Sequence, residues 1–137
     1  MYQLVGRVLG AAGLMEHLPQ LELLDRPGYQ VTRRGPTIEL LQPRLAEHFP
    51  GRWLVARYVV VKPGGVIPPH TDPRGPDDPP CWRLLIVQTS PDAWVMHDRD
   101  WQHLEQDGVY ESDQQKVHAA VNFGKEPRVH LVIGTTG

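Results

Sequence analysis

The sequence predicts a mainly β domain, a small antiparallel barrel or sandwich with short helices at its N-terminal side. Three observations predict it. The chain has 137 residues, the size of one folding unit. Its 13 glycines and 14 prolines interrupt it too often for a helical bundle or a coiled coil. From Trp53 onward, seven or so short runs rich in aliphatic and β-branched residues recur between those breakers.

Taken in order, Leu14, Leu18, Leu21 and Leu24 follow a mostly helical spacing that Pro19 interrupts, so Gly10 to Leu24 should give one or two short helical turns. Gly28 to Arg34 alternates weakly and reads as an edge strand. Pro36 stands where a first helical turn tolerates it, and Ile38, Leu41, Leu45 and Phe49 share a face, which predicts a helix over 36–48 shortened or kinked at Pro43. LVARYVVV is then a strand, KPGG a turn, and VIPPHTD an extended piece whose Pro68 and Pro69 suit a sheet edge. RLLIVQT, AWVMHD, GVYES, KVHAAVNF and RVHLVIG complete the strands.

Composition excludes several functions. Fourteen Lys and Arg against 16 Asp and Glu give a net charge of -2, so no basic field recruits nucleic acid or an anionic membrane. No apolar run approaches the roughly 20 residues that span a bilayer, and Arg7 interrupts an N-terminus that also lacks a basic start, making it a poor secretory signal. A cytoplasmic location is expected. Cys81 is the only cysteine, which excludes an internal disulfide and any zinc site that needs two thiolates.

A metal would therefore use His and carboxylate. His70 and Asp72 lie two apart, so on an extended segment both side chains leave one face. His118, in KVHAAVNF, can supply a third donor from a facing strand. Two imidazoles and a carboxylate make the facial set of non-haem Fe(II), with positions left open, although the same donors also suit Zn or Mn. VHAAVNFGKEPRVHL reads as a hairpin turning near Gly124, which would pair His118 with Arg128 and set a guanidinium beside the metal, able to hold a carboxylate bidentately. His130 shares that face.

HTD, His118 and Arg128 in NFGKEPRVHLVIG together resemble the Fe(II)- and 2-oxoglutarate-dependent dioxygenases of the aspartyl/asparaginyl β-hydroxylase and proline hydroxylase group. The likeness runs over about residues 54–134 and is most specific in GVYESDQQKVHAAVNFGKEPRVHL. It implies a double-stranded β-helix, the jelly-roll cupin architecture, with its core over 54–134 of a single domain. It also implies that His70, Asp72 and His118 bind iron and that Arg128 binds the far carboxylate of 2-oxoglutarate. The family often carries Arg-x-His after the first His; here Arg83 is present and Leu85 replaces the His. By the same resemblance Arg83 contacts a carboxylate of cosubstrate or substrate, and the expected reaction is hydroxylation of a C–H with dioxygen.

The remaining candidates have bland readings beside sharp ones. His17, His48, His97 and His103 are read as surface or satisfied core residues. The Tyr58 phenol is set as a carboxylate donor against a core Tyr with its hydroxyl satisfied. Trp82, Trp94 and Trp101 are packing or pocket wall, Asn122 a hairpin turn residue, and Cys81 no nucleophile. DPRGPDDPP is either a solvated loop or a semi-rigid lid whose Arg74 meets a carboxylate-bearing substrate, a free amino acid or a residue in a peptide. The alternatives are a cupin-type metal barrel that does not use 2-oxoglutarate, or a non-catalytic small-molecule binding module; HAAVN and PGG fit those, while HTDPRGPDD lacks their HxH and Glu.

Overall fold

A computed structural model describes residues 1–72 and 75–137. The N-terminal part comprises β1 (Gln3–Arg7), a 3-10 segment (Ala11–Gln20), β2 (Leu23–Arg26), β3 (Tyr29–Thr32) and helix α1 (Arg34–Leu45). The strands β4 (Trp53–Val61), β5 (Val66–His70), β6 (Cys81–Gln88), β7 (Ala93–His97), β8 (Asp100–Gln102), β9 (Gly108–Ser112), β10 (His118–Asn122) and β11 (Arg128–Thr135) follow. They form a seven-stranded sheet in the order β1-β9-β6-β11-β4-β3-β2 and a four-stranded sheet in the order β5-β10-β7-β8, with every ladder antiparallel.

The expected strands all form, and β1, β2 and β8 are added to them. Leu23 and Leu24, read as the end of a helical stretch, belong to β2, because that segment pairs with β3 around a turn at Gly28. Gly28 has φ +85, and a Cβ there would lie 2.7 Å from the Val66 carbonyl oxygen. That close approach fastens the β2–β3 hairpin to the start of β5. The larger sheet thus takes in strands that precede Leu54. Pro68 and Pro69 sit on β5, an edge strand, where its register with β10 shifts between the His118–His70 and Ala120–Ile67 pairs, so the missing N–H groups fall at an irregularity.

Alternation along the strands creates two cores. Ala56, Tyr58 and Val60 of β4 with Val129, Leu131 and Ile133 of β11 face Leu41 and Leu45 of α1 and Leu14 of the 3-10 segment. Val59, Val61, Leu84 and Ile86 face the other way, toward Ile67, Val95 and Ala120 of the smaller sheet. The second core is the shallower one, and the cavity described below opens within it.

The expected hairpin between β10 and β11 is not a hairpin. β10 pairs with β5 and β7, whereas β11 pairs with β4 and β6, so the chain crosses from one sheet to the other between them. His118 and Arg128 are consequently on opposing sheets and not on one ladder. Asn122 makes the corner: its Nδ2 donates to the Val61 carbonyl at 3.0 Å and to that of Glu126 at 2.8 Å, while Oδ1 accepts the Gly124 N–H at 3.0 Å. A hairpin turn would satisfy those groups itself; a corner needs a buried amide to do it. Asn122→Ala strands two backbone carbonyls and an N–H, so urea unfolding should show a loss of about 2–4 kcal/mol, whereas an exposed alanine replacement such as Glu39→Ala should change stability by less than about 0.5 kcal/mol.

Candidate metal centre

His70 ends β5 and His118 opens β10, and the antiparallel register sets them directly opposite each other. Their ring centroids are 4.2 Å apart. Asp72, two residues beyond His70, is anchored by its own N–H donating to the Gln114 carbonyl at 2.9 Å. The expected same-face placement of His70 and Asp72 therefore holds, with the facing strand supplying His118. One ligand atom from each of the three lies within 4.8 Å of the others; the closest separations are His118 Nε2 to Asp72 Oδ2 at 3.1 Å and His70 Nε2 to Asp72 Oδ1 at 3.8 Å.

Both imidazoles are oriented in the same way. His70 Nδ1 donates to the Pro68 carbonyl and His118 Nδ1 to that of Lys116, each at 2.8 Å and each two residues back. Those bonds place a proton on Nδ1 and turn Nε2 toward the carboxylate, the arrangement that metal-binding histidines use. The His118 hydrogen bond, with help from His70 and Arg57, holds the Asp72 carboxyl below its ordinary range. Burial opposes protonation of His118, but the hydrogen bonds to Asp72 and Lys116 outweigh it and raise its pKa. A divalent cation held at this point would stand where the Nε2 proton does, with His70, Asp72 and His118 as its donors. Bonds of about 2.0–2.2 Å at right angles require donor separations near 3 Å, so the His118–Asp72 pair already fits and His70 needs a small closure.

The triad borders a cavity of about 630 Å³ between the two sheets, walled by apolar groups such as Val59, Ile67, Leu84 and Val95 and by Trp82. His130 is also on its wall. Beside it, Arg128 is only 2% exposed, and its guanidinium bonds to His130 Nδ1. Among the described residues no carboxylate lies within 4.0 Å of Arg128. Burial pulls its pKa down to about 10, with Tyr2 opposing. Burial and the adjacent guanidinium keep His130 neutral, its pKa far below the ordinary value. A buried cation without a counter-charge carries a desolvation cost of several kcal/mol, so this pair constitutes a standing demand for an anion. Tyr2, stacked on His97 with centroids 4.5 Å apart, also lines the cavity, and burial pushes its phenol up to about 12.

Two expected site residues are misplaced. Tyr58 faces the helix-side core, fully buried, with its hydroxyl donating to the Leu14 carbonyl at 2.6 Å. Arg83 also points away from the cavity, its Nη2 lying 3.9 Å from Glu111. The cause is strand phase. LVARYVVV and RLLIVQT are apolar on both faces, so their sequences do not say which alternate set looks inward. On β4 the inward set is Val55, Arg57 and Val59, and on β6 it is Trp82 and Leu84. Trp82 is thus on the wall as expected, whereas Trp94 and Trp101 are exposed and Trp94 stacks on His103. Arg74 lies outside the described residues. Asp78, Pro79 and Pro80 of the same loop line the cavity, and Asp78 Oδ2 accepts the Gly75 N–H at 2.5 Å. Sequence reasoning missed Arg57, Arg34, Gln114 and Tyr2. The available signal for Arg57 was a lone charge inside an otherwise apolar strand.

The profile of the family described as Aspartyl/Asparaginyl beta-hydroxylase matches residues 30–136. No curated protein matches the chain in sequence. Among solved structures, HygX from Streptomyces hygroscopicus, determined with nickel, 2-oxoglutarate and hygromycin B bound, superposes on 98% of this chain and 83% of its own, with a TM-score of 0.68 and 12% identity. Oxalate decarboxylase from Lactobacillus farciminis covers 87% of this chain with a TM-score of 0.58 and 17% identity, but the chain spans only 32% of it. A cupin-2 domain protein, Rru_A2000 from Rhodospirillum rubrum, covers 87% of this chain and 72% of its own at a TM-score of 0.56 and 13% identity. These likenesses are of fold, and they agree with the cupin-type jelly roll that the two facing sheets form.

With three side chains able to share one cation, His118→Ala or Asp72→Ala should weaken Mn(II) binding in a calorimetric titration by at least about 100-fold, beyond the loss typical of an outer-shell partner. Arg83→Gln and Tyr58→Phe, which alter groups outside the cavity, should leave it unchanged, although Tyr58→Phe should lower stability by about 1 kcal/mol.

Proposed function

The chain belongs to the Aspartyl/Asparaginyl beta-hydroxylase family, and on that premise we propose that it is an Fe(II)- and 2-oxoglutarate-dependent hydroxylase acting on a C–H of an amino acid or of an amino-acid residue in a peptide. The observation that carries this reading is a His70–Asp72–His118 donor set at a cavity whose wall also carries His130, which bonds to the buried Arg128 behind it, a guanidinium with no carboxylate partner among the described residues. A metal barrel without an acidic cosubstrate has no use for that arginine. The nickel and 2-oxoglutarate bound to HygX, a protein of similar fold, are consistent with a metal and an acidic cosubstrate here.

His70, Asp72 and His118 would occupy one face of the iron and leave the other positions to exchangeable ligands. When bound there, iron with 2-oxoglutarate and dioxygen supplies the oxidising chemistry: 2-oxoglutarate, O2 and a C–H give succinate, CO2 and a C–OH, one oxygen atom going to each organic product. The protein orients and shields. Arg128 takes the far carboxylate through a guanidinium fork, which replaces His130 Nδ1 as its acceptor. Val59, Ile67, Leu84 and Val95 keep water from the reacting region. Trp82 provides a flat wall for a substrate. No side-chain base is required, because the proton balance closes within the reactants.

Anaerobic addition of 2-oxoglutarate to the Fe(II) protein should produce a weak metal-to-ligand charge-transfer band in the visible. Arg128→Ala should raise the 2-oxoglutarate needed for half of that band by about 30-fold or more, since truncating one partner of a buried charge pair costs 2 kcal/mol or more, while Fe(II) binding persists. Arg128→Lys should recover part of the loss. Succinate release in air should be stimulated by at least one member of a panel of free amino acids and short peptides, with a product heavier by one oxygen. Metal binding without the band would replace this reading with a cupin barrel that does not use 2-oxoglutarate; no metal binding would leave a non-catalytic module.

A further inference from the structure

β3 runs beside β4 only as far as the Val31–Val59 pair, after which the chain turns into α1 at Arg34. Arg57, two residues before Val59 on β4, therefore has a helix start beside it where a strand would otherwise lie. The gap is a second cavity of about 320 Å³, whose lining includes Arg26, Arg33, Arg34 and Arg57 and no acidic residue. Val31, Arg34 and Arg57 line both this cavity and the larger one, so the two adjoin.

Arg33 is paired with Glu22 at 2.8 Å, but among the described residues no carboxylate lies within 4.0 Å of Arg26, Arg34 or Arg57. Arg26 donates only to the neighbouring Asp25 carbonyl. The Nε of Arg57 is buried and has no hydrogen-bond partner among the described residues. Burial, followed by repulsion from Arg34 and Arg26, depresses the Arg57 pKa against a weaker pull from Asp72, so the three guanidinium groups act on each other. Like charges gathered in a concave, partly desolvated space with an unused donor are satisfied by an oxyanion, which accepts several guanidinium hydrogen bonds at once.

We propose that the cavity formed by Arg57, Arg34 and Arg26 is an oxyanion subsite, which receives the carboxylate or phosphate of a small acidic substrate whose reacting carbon lies toward His70, Asp72 and His118. The second half of this statement rests on the reading of the triad as the catalytic centre; the anion site itself does not. A substrate so held is gripped at an end remote from the oxidised carbon, which gives selectivity for acidic molecules. Arg83, the arginine expected to do this, faces the opposite side of the sheet. The specificity device is thus on β4 and at the start of α1.

The experiment follows the arginine side-chain Nε–Hε resonances of the full chain while inorganic phosphate and, separately, acetate are titrated at constant ionic strength. The Arg57 signal is assigned by its disappearance in Arg57→Lys. At least one of the two anions should shift it saturably, and the one that binds more tightly identifies phosphate or carboxylate as the natural headgroup. Arg57→Gln should weaken that anion by about tenfold or more. The exposed replacements Arg26→Gln and Arg34→Gln should each weaken it several-fold, and these guard against a folding defect in Arg57→Gln. Arg83→Gln is the control and should change nothing. A shift that does not saturate, or equal weakening in Arg83→Gln, would overturn the subsite. Mn(II) titration of the same variants separates the two readings: retained metal affinity with lost anion binding is the expected result, and absence of metal binding in the unaltered chain would defeat the hydroxylase reading while leaving the anion result to decide the subsite.

Discussion

The direct opposition of His118 and His70 across the β5–β10 ladder is the constraint on which the site depends. A one-residue slip in that ladder would send one imidazole to the far face of the smaller sheet and dismantle the cluster. The register is held by the apolar partners further along, Ala120 opposite Ile67 and Val121 opposite Val66, and by the Asn122 corner. Backbone bonds from Nδ1 then remove the remaining freedom of the two rings. Asp72 needs no strand of its own, because its N–H is tied to Gln114 just before His118. The cluster is therefore a product of sheet geometry at a strand end, where side chains are ordered on one side and open on the other.

The larger sheet supplies the complementary half. β11 carries an apolar alternate set toward the helices and a polar set, Arg128 and His130, toward the smaller sheet. Enclosing a guanidinium with only an imidazole for company opposes folding, and the surrounding Val and Leu packing has to offset it. A molecule that brought donors to the triad and displaced His130 to bring a carboxylate to Arg128 would satisfy both. Arg57 and Arg128, both on the larger sheet, explain why a chain with net charge -2 can still present a locally positive interior.

Much of this was legible in the residues. The strand count from Trp53 onward, the edge character of VIPPH and the one-face spacing of His70 and Asp72 follow from local rules, and each reappears in the fold. The position of Arg128 in an inward strand was legible too, but its route was not: FGKEP reads as a hairpin turn, and only the buried Asn122 amide shows that it is a crossing between sheets. Tyr58 and Arg83 failed for one reason, the absence of phase in runs that are apolar on both faces. Arg57 was hidden by the same ambiguity. The space beside it depends on the termination of β3 at Thr32, a tertiary fact with no local signature. β1 and β2 were equally illegible because β1 is exposed along its length and β2 is too short to show a period, whereas the strand read over Gly28 to Arg34 forms as β3 but lies between β2 and β4 and not at the edge.

The central claim is that one bifunctional molecule joins the metal triad to Arg128, and a residue-by-ligand cycle tests it most directly. The affinities of 2-oxoglutarate and of 2-oxopentanoate, which keeps the 2-oxo acid but lacks the far carboxylate, are measured by anaerobic calorimetry against the Fe(II)-loaded chain and against its Arg128→Ala variant. The account predicts that the unaltered chain prefers 2-oxoglutarate by about tenfold or more and that this preference disappears in the variant, with 2-oxopentanoate bound equally by both. A preference that survives removal of Arg128, or the absence of any preference in the unaltered chain, would contradict it.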